Sequence, residues 1–250
     1  MISELNKIGD IDFNVFNVSN YSNELELLVL MNHLCRLYKF EQILGIPGHV
    51  FKNYFYIVNV SYRKNPYHNS IHATDVVQTF YFFVKTCNVE TTCNLTELEL
   101  FSLFFAGAIH DLDHPGNNNN YEVAVQSNLA ISYNDKAVLE NYHLYKAFSI
   151  LKKPHADIFA TFNRQNYSRS RGMIINSVLS TDMAVHFSEL ANLKNRIKAT
   201  DFDPLKTDKD LLLNQLMHAC DISNPSKPFE IYQMWVDRVF EEFFKQVTYT

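Results

Sequence analysis

Glycine is scarce in this chain, with six residues in 250. An all-β fold of many short strands needs more turn glycines, and alternating strand patterns are weak everywhere. The four cysteines, Cys35, Cys87, Cys93 and Cys220, form no C-x-x-C pair and fit mostly buried thiols in a reducing compartment. No apolar stretch reaches the roughly 20 residues of a membrane span. The N-terminus lacks a basic region followed by an apolar core, so no signal peptide is expected. The net charge is −5 with no long basic run, which argues against binding nucleic acid through its phosphates. There is no GxxxxGK loop, no GxGxxG turn, no HExxH and no GxSxG, so kinase, dehydrogenase, zincin and serine-hydrolase readings lose their support.

What is present is helical periodicity over a large apolar share, 47% of residues, with 20 Phe and 14 Tyr. Asn23 to Phe40 reads as an amphipathic helix with Leu27, Leu30, Leu34 and Leu37 on one stripe. Pro47 opens a second helix to about Tyr62, and Ser70 to Thr86 is a third. Thr96 and Glu99 make a capping box before the apolar run Leu100 to Ile109. Asp135 is placed to cap a helix through Leu151, and further helices are predicted at about 154–162, 165–199, 207–220 and 228–246. No repeat or linker divides the chain. One all-α domain over residues 1–250 is expected. The run Asn117 to Asn120 reads as plain turn material.

The chemistry gathers where apolar segments end. The run "AGAIHDLDHPG" delivers His110, Asp111, Asp113 and His114 within five residues, and burying such groups is costly unless something pairs with them. A helix-end His beside a capping Asp is the bland reading, but divalent metal accounts for all four together; taken singly, Asp113 could be a plain loop carboxylate and His114 could hold a metal-bound water. In "NPYHNSIHATDVVQ", His68 and His72 are four apart, a spacing that shares a helix face or marks an ordinary helix start. In "HACDISNPSKP", Asp221 again presents an acid where a buried helix ends, or else serves as a turn residue. His72, His110, Asp111 and Asp221 together carry two negative charges, and two divalent cations on them would suit an anionic phosphoryl substrate. Asp111 has two oxygens and could bridge the metals, with a metal-bridging hydroxide as nucleophile and His68 as proton donor to the leaving oxygen.

The order H…HD…D resembles the HD superfamily of metal-dependent phosphohydrolases. The strings already quoted, with "SNLAISYNDKAVLENYH", "VLSTDMAVHF" and "WVDRVFEEFFKQ", resemble one branch closely: the catalytic domain of cyclic 3′,5′-nucleotide phosphodiesterases, over about residues 12 to 246. That resemblance implies a compact all-helical domain that hydrolyses cyclic AMP, cyclic GMP or both to the 5′-monophosphate. It implies His68 as the proton donor, and His72, His110, Asp111 and Asp221 as ligands of Zn²⁺. Asp111 would also hold a second ion, Mg²⁺ or Mn²⁺, with His114, Glu140, Thr181 and Asp182 around its water shell. Tyr67, Met183 and Asn224 would face the nucleotide. The family continues after "EEFFKQ" with Gly-Asp and further helices, whereas this chain closes on Val247-Thr248-Tyr249-Thr250, four residues expected to match nothing in the family. The resemblance thus implies a catalytic domain short of its last helices and of part of its base pocket. Two other readings stand beside it: another HD-type nucleotide phosphohydrolase, and a catalytically weak fragment that binds metal or partners. The expected setting is the cytoplasm, or a cytosol-facing domain of a longer membrane protein; oligomeric state is open.

Overall fold

The computed structural model describes residues 2–247, which are helical and loop structure with no strand among them. Nine helices of twelve residues or more carry the fold: Glu26–Leu37 (α1), Gly48–Ser61 (α2), Ser70–Thr86 (α3), Glu97–Ile109 (α4), Val138–Ile150 (α5), Arg164–Leu179 (α6), His186–Ile197 (α7), Lys209–Asp221 (α8) and Phe229–Val247 (α9). None is long and apolar enough to cross a membrane. Of the closing four residues, Thr248 to Thr250 lie outside the described residues.

α4 is the hub. It packs on α3 and α6, and every residue from Glu99 to Ile109 is buried. A helix apolar all round belongs in a core, and each fully buried Phe contributes about 1.5–3 kcal/mol. The capping box forms: Thr96 Oγ1 accepts from the Glu99 amide (3.3 Å), and Glu99 Oε2 accepts from the Thr96 amide (3.1 Å). The one hydroxyl of the run, on Ser102, is satisfied by Leu98 O (2.6 Å) and Ser170 Oγ (2.7 Å). Gly107 permits close approach, since a methyl there would meet Val77 Cγ2 of α3 at 3.3 Å and Met217 Sδ of α8 at 3.6 Å. The C-terminal ends of α4 and α8 are thereby brought against the N-terminal turn of α3.

Several expected boundaries move. The first helix starts at Glu26 because Asn23 and Glu24 adopt positive φ, and it stops at Leu37 because Lys39 does the same. Leu37 therefore leaves the buried stripe and is 46% exposed. Asp135 does not cap α5; it sits at φ 61, and Ala137 occupies the cap position. Residues 154–162 form turns rather than a helix, with His155 at φ 55 and the Asp157 carboxylate accepting from the Phe159 amide. Ala156, Ile158 and Phe159 are buried all the same, so an apolar cluster imitated helical spacing. The expected 165–199 helix breaks between α6 and α7. Thr181 and Asp182 satisfy local backbone groups, Val178 O and the Ala184 amide, and so compete with the helix ladder.

Candidate functional site

Three helix ends converge. Asn69 caps α3, accepting from the amides of Ile71 (2.9 Å) and His72 (3.2 Å), which sets His72 in the first turn with its ring buried. His110 ends α4, and its Nδ1 donates to Gly107 O at 2.9 Å. That bond occupies Nδ1 and leaves Nε2 as the nitrogen aimed at the cluster, protonated beside the two carboxylates or a lone pair for a metal. Asp111 follows directly, and Asp221 is the last residue of α8. His72 Nε2 lies 2.9 Å from Asp221 Oδ1, 3.3 Å from His110 Nε2 and 3.5 Å from Asp111 Oδ2. His110 Nε2 lies 3.1 Å from both Asp111 Oδ2 and Asp221 Oδ1. Four donors at about 2.0–2.2 Å from one tetrahedral ion sit about 3.3–3.6 Å apart; the separations here run from 2.9 to 3.5 Å, slightly contracted, so the set suits a divalent ion in donor type and lies close to it in spacing. The electrostatics agree. Burial pushes His110 down, but Asp111 and Asp221 outweigh it and raise it well above the usual imidazole value. Burial pushes Asp111 up, but His110 and His68 hold it well below the carboxylate range. Positive charge is demanded at this point. His72 Nδ1 is buried without a hydrogen-bond partner, its ring packed by Tyr67 and Trp235.

Two cavities meet here. One, about 490 Å³, is polar and lined by Asp111, His114, Glu140, Thr181, Asp182 and Asp221 among others. Asp111 Oδ1 lies on this side, 3.7 Å from His143 Nε2. His114 stacks on His68 with ring centres 4.0 Å apart, and its Nδ1 accepts from the Gly116 amide (3.0 Å). Burial and the neighbouring His68 push His114 well below the usual imidazole value. Burial pushes Glu140 up to about 7, with Asp182 and Asp111 adding to it against two bonds from Asn119. The second cavity, about 430 Å³, is mostly apolar and lined by Tyr67, Met183, Asn224, Trp235, Val239 and Phe243 among others. Met183 is 59% and Phe243 52% exposed on its rim. His68 and Asp221 border both spaces.

His68 does not share a helix face with His72. It lies in the turn before α3, with its ring nearly perpendicular to that of His72. Its Nδ1 donates to Glu242 Oε1 of α9, and Glu242 Oε2 accepts from the amides of Tyr67 (2.9 Å) and His68 (3.0 Å). Burial pushes His68 down, yet Asp111 and Glu242 raise it above the ordinary value.

The structure thus brings His68, His72, His110, Asp111, His114, Glu140, Thr181, Asp182 and Asp221 to one place, with Tyr67, Met183 and Asn224 on the apolar side. It takes Asp113 away. Asp113 sits at φ 62 and faces Arg63 (2.6 Å), Lys146 (2.9 Å) and the Tyr142 hydroxyl (2.5 Å), so a metal is not what pairs with it. Burial pushes its carboxyl up, but Arg63 and Tyr142 hold it at about 2. The asparagine run also has tasks that sequence reasoning missed. Asn118 caps residues 119–124 and donates its amide to Gln246 Oε1 (2.9 Å), while Asn119 donates to Glu140. Glu242 and His143 were missed as well. His143 was within reach, three residues after Glu140 and on the same helical face; Glu242 is one of several acids on α9, and only packing singles it out.

Comparison with known proteins gives the family. Residues 67–249 match the family of 3′5′-cyclic nucleotide phosphodiesterases. The match takes in three of the four closing residues that the motifs left without a counterpart. A probable 3′,5′-cyclic phosphodiesterase of Caenorhabditis elegans, pde-1, is 35% identical over 94% of this chain and 35% of its own length. The 3′,5′-cyclic-AMP phosphodiesterase 4C of Rattus norvegicus is 36% identical over 98% of this chain and 46% of its own. The phosphodiesterase domain of a RhoPDE fusion protein from Salpingoeca rosetta superposes with a TM-score of 0.86 at 30% identity, covering 96% of this chain and 75% of that one. The chain belongs to the cyclic nucleotide phosphodiesterase family, and it spans between a third and a half of the curated relatives it matches.

Proposed function

We propose that the chain hydrolyses a cyclic 3′,5′-nucleotide to the 5′-monophosphate, with cyclic AMP the first substrate to test because relatives are named for it. The observation that carries the proposal is the four-donor cluster opening on a polar cavity beside a histidine held by a carboxylate. His72, His110, Asp111 and Asp221 would hold Zn²⁺, and Asp111 Oδ1 would face a second ion, Mg²⁺ or Mn²⁺, among His114, Glu140, Thr181 and Asp182. Such ions supply Lewis acidity and lower the pKa of bound water.

The protein's own groups do the rest. Glu242 fixes the ring of His68, keeps a proton on Nδ1 and favours the imidazolium, so that Nε2–H can protonate the leaving 3′ oxygen. Bound cations would drive His68 toward its neutral form, and the Glu242 carboxylate counters them. His114, neutral beside a charged His68, stacks without repelling it. The apolar cavity, with Tyr67, Met183 and Asn224, would take the base and exclude water from it.

The test is direct. Purified chain supplied with Zn²⁺ and Mg²⁺ should convert cyclic AMP or cyclic GMP to the 5′-monophosphate, followed by chromatography, and the Asp221→Asn variant should not. Equal turnover by both proteins, or none by the first while it binds both metals, would defeat the proposal.

A further inference from the structure

Behind the apolar cavity runs a chain of buried polar groups in which each donor and acceptor role is forced. Gln78 Nε2 donates to two carbonyls of the N-terminal segment, Ile8 O and Asp10 O, both at 2.9 Å. Its Oε1 must therefore face Lys227, and it accepts from Nζ at 2.9 Å. Lys227 can only donate; Thr79 Oγ1 takes a second bond (2.9 Å), and Asp75 Oδ1, which makes no hydrogen bond of its own, lies 3.1 Å away as its counter-charge. The lysine side chain is fully buried and the aspartate side chain is 1% exposed. Asp75, ionised, only accepts, so the Asn224 carboxamide must turn Nδ2 toward Asp75 Oδ2 (3.1 Å). That leaves Asn224 Oδ1 for the Tyr67 hydroxyl, which must donate, at 2.5 Å. The end of the chain is the cavity wall, where both Tyr67 and Asn224 stand.

Packing does not ask for this ion pair. Apolar residues of similar volume would fill the same space, often with no loss of stability. We infer that Asp75 and Lys227 are positioning residues: their ion pair fixes the orientation of the Asn224 carboxamide and commits the Tyr67 proton inward, so that the tyrosine oxygen meets the cavity as an acceptor only. The inference rests on the proposed function for what fills the cavity. The orientation itself does not depend on that reading.

Asp75→Asn reverses the chain without orphaning a group. Asn at 75 must turn its oxygen to Lys227 and its amide to Asn224. Asn224 then flips, and Tyr67 donates into the cavity. The expected result is a KM for the hydrolysed cyclic nucleotide raised about 10- to 100-fold, the scale of one mispaired buried hydrogen bond, with kcat within about threefold and metal content unchanged. The side-chain amide signals of Asn224, observed by NMR and assigned by their loss in Asn224→Asp, should shift in the same variant. If Asp75→Asn fails to fold, Asp75→Leu/Lys227→Met removes both charges together, frees the carboxamide and should raise KM likewise. A folded variant with wild-type KM and unmoved Asn224 signals overturns the inference, and so does a shift of those signals without a change in KM. A wild-type chain that turns over no cyclic nucleotide defeats the proposed function instead, and the Asn224 signals alone then decide the positioning role.

Discussion

α4 and α8 both pack on α3 and α6 and run the same way, and they bury charge at their two ends by opposite means. At the starting end Glu99 accepts from Lys209 Nζ (2.6 Å) and from Arg169 (3.0 Å), while Arg169 also clamps Asp210 with bonds of 2.6 and 2.7 Å. Acids and bases satisfy one another there. At the finishing end His110, Asp111 and Asp221 meet His72 around one point, and Asp111 keeps an oxygen on a cavity. That end satisfies itself only by borrowing positive charge from imidazoles. The closed network serves the fold, whereas the open one asks for a cation and has room beside it for a substrate.

If that contrast is right, damage to the open end should cost function and leave stability almost intact. Asp221→Asn keeps the shape and removes one of the two anionic donors. Turnover should fall by on the order of 10⁴-fold or more, several kcal/mol of transition-state stabilisation. Bound divalent metal, read by elemental mass spectrometry, should fall with it, while the thermal midpoint of the metal-stripped protein should hold or rise. A variant with full metal content and near-normal turnover would place the ligands elsewhere.

His68 separates chemistry from metal binding within the same end. His68→Ala should lower kcat by about 10²- to 10⁴-fold, the usual worth of a general acid, and metal content should stay at the wild-type level. Ordinary turnover in this variant would remove His68 from the mechanism.

Glu242 tunes that acid, so its effect should be smaller and should show in the pH profile. The carboxylate raises the pKa of His68, and the proposed mechanism needs His68 protonated, so on that mechanism activity is lost as pH rises through that pKa. Glu242→Gln removes the raising influence. The alkaline limb of kcat should therefore move to lower pH, with activity at acid pH the least affected. An unmoved limb would show that Glu242 only orders the backbone of Tyr67 and His68.

The two ends also differ in how far they were legible in the sequence. His110-Asp111 and the His68/His72 pair are short-range patterns on predictable helix ends, and the apolar run before them made their burial plain. The Thr96–Glu99 box was equally readable, because capping is local. Glu242 was not readable: its partner is 174 residues away, and nothing in "EEFFKQ" says which acid turns inward. The break at Thr181–Asp182 was hidden for a related reason. The helical spacing of 165–199 continues through it, and only side-chain bonds to nearby backbone end the helix there. Asp113 stayed open between the metal and a plain loop carboxylate, because spacing alone does not show that a positive φ turns it to Arg63.

The closed end should answer in stability alone, and by the least. Glu99→Gln removes the charge but keeps a side chain able to complete the capping box, since Gln serves at that position. Lys209 would still donate to Asn94 O (3.0 Å), and Asp210 would still hold Arg169. What is lost is the charged half of two hydrogen bonds, about 1–3 kcal/mol at neutral pH given the partial exposure of Arg169. The pH dependence has a definite sign. Burial pushes Glu99 up, but Lys209, Thr96 and Arg169 hold it below its ordinary value. A carboxylate lowered by folding stabilises the native state above its unfolded pKa of about 4.3, and that contribution fades as pH falls through the folded value. Denaturant melts should therefore separate wild type from Glu99→Gln at pH 7 and converge as the pH falls below about 4. Turnover per folded molecule and zinc content should match wild type throughout. A loss of metal or of kcat in this variant would mean that the two ends of α4 are coupled, and the division between a structural end and a chemical end would fail.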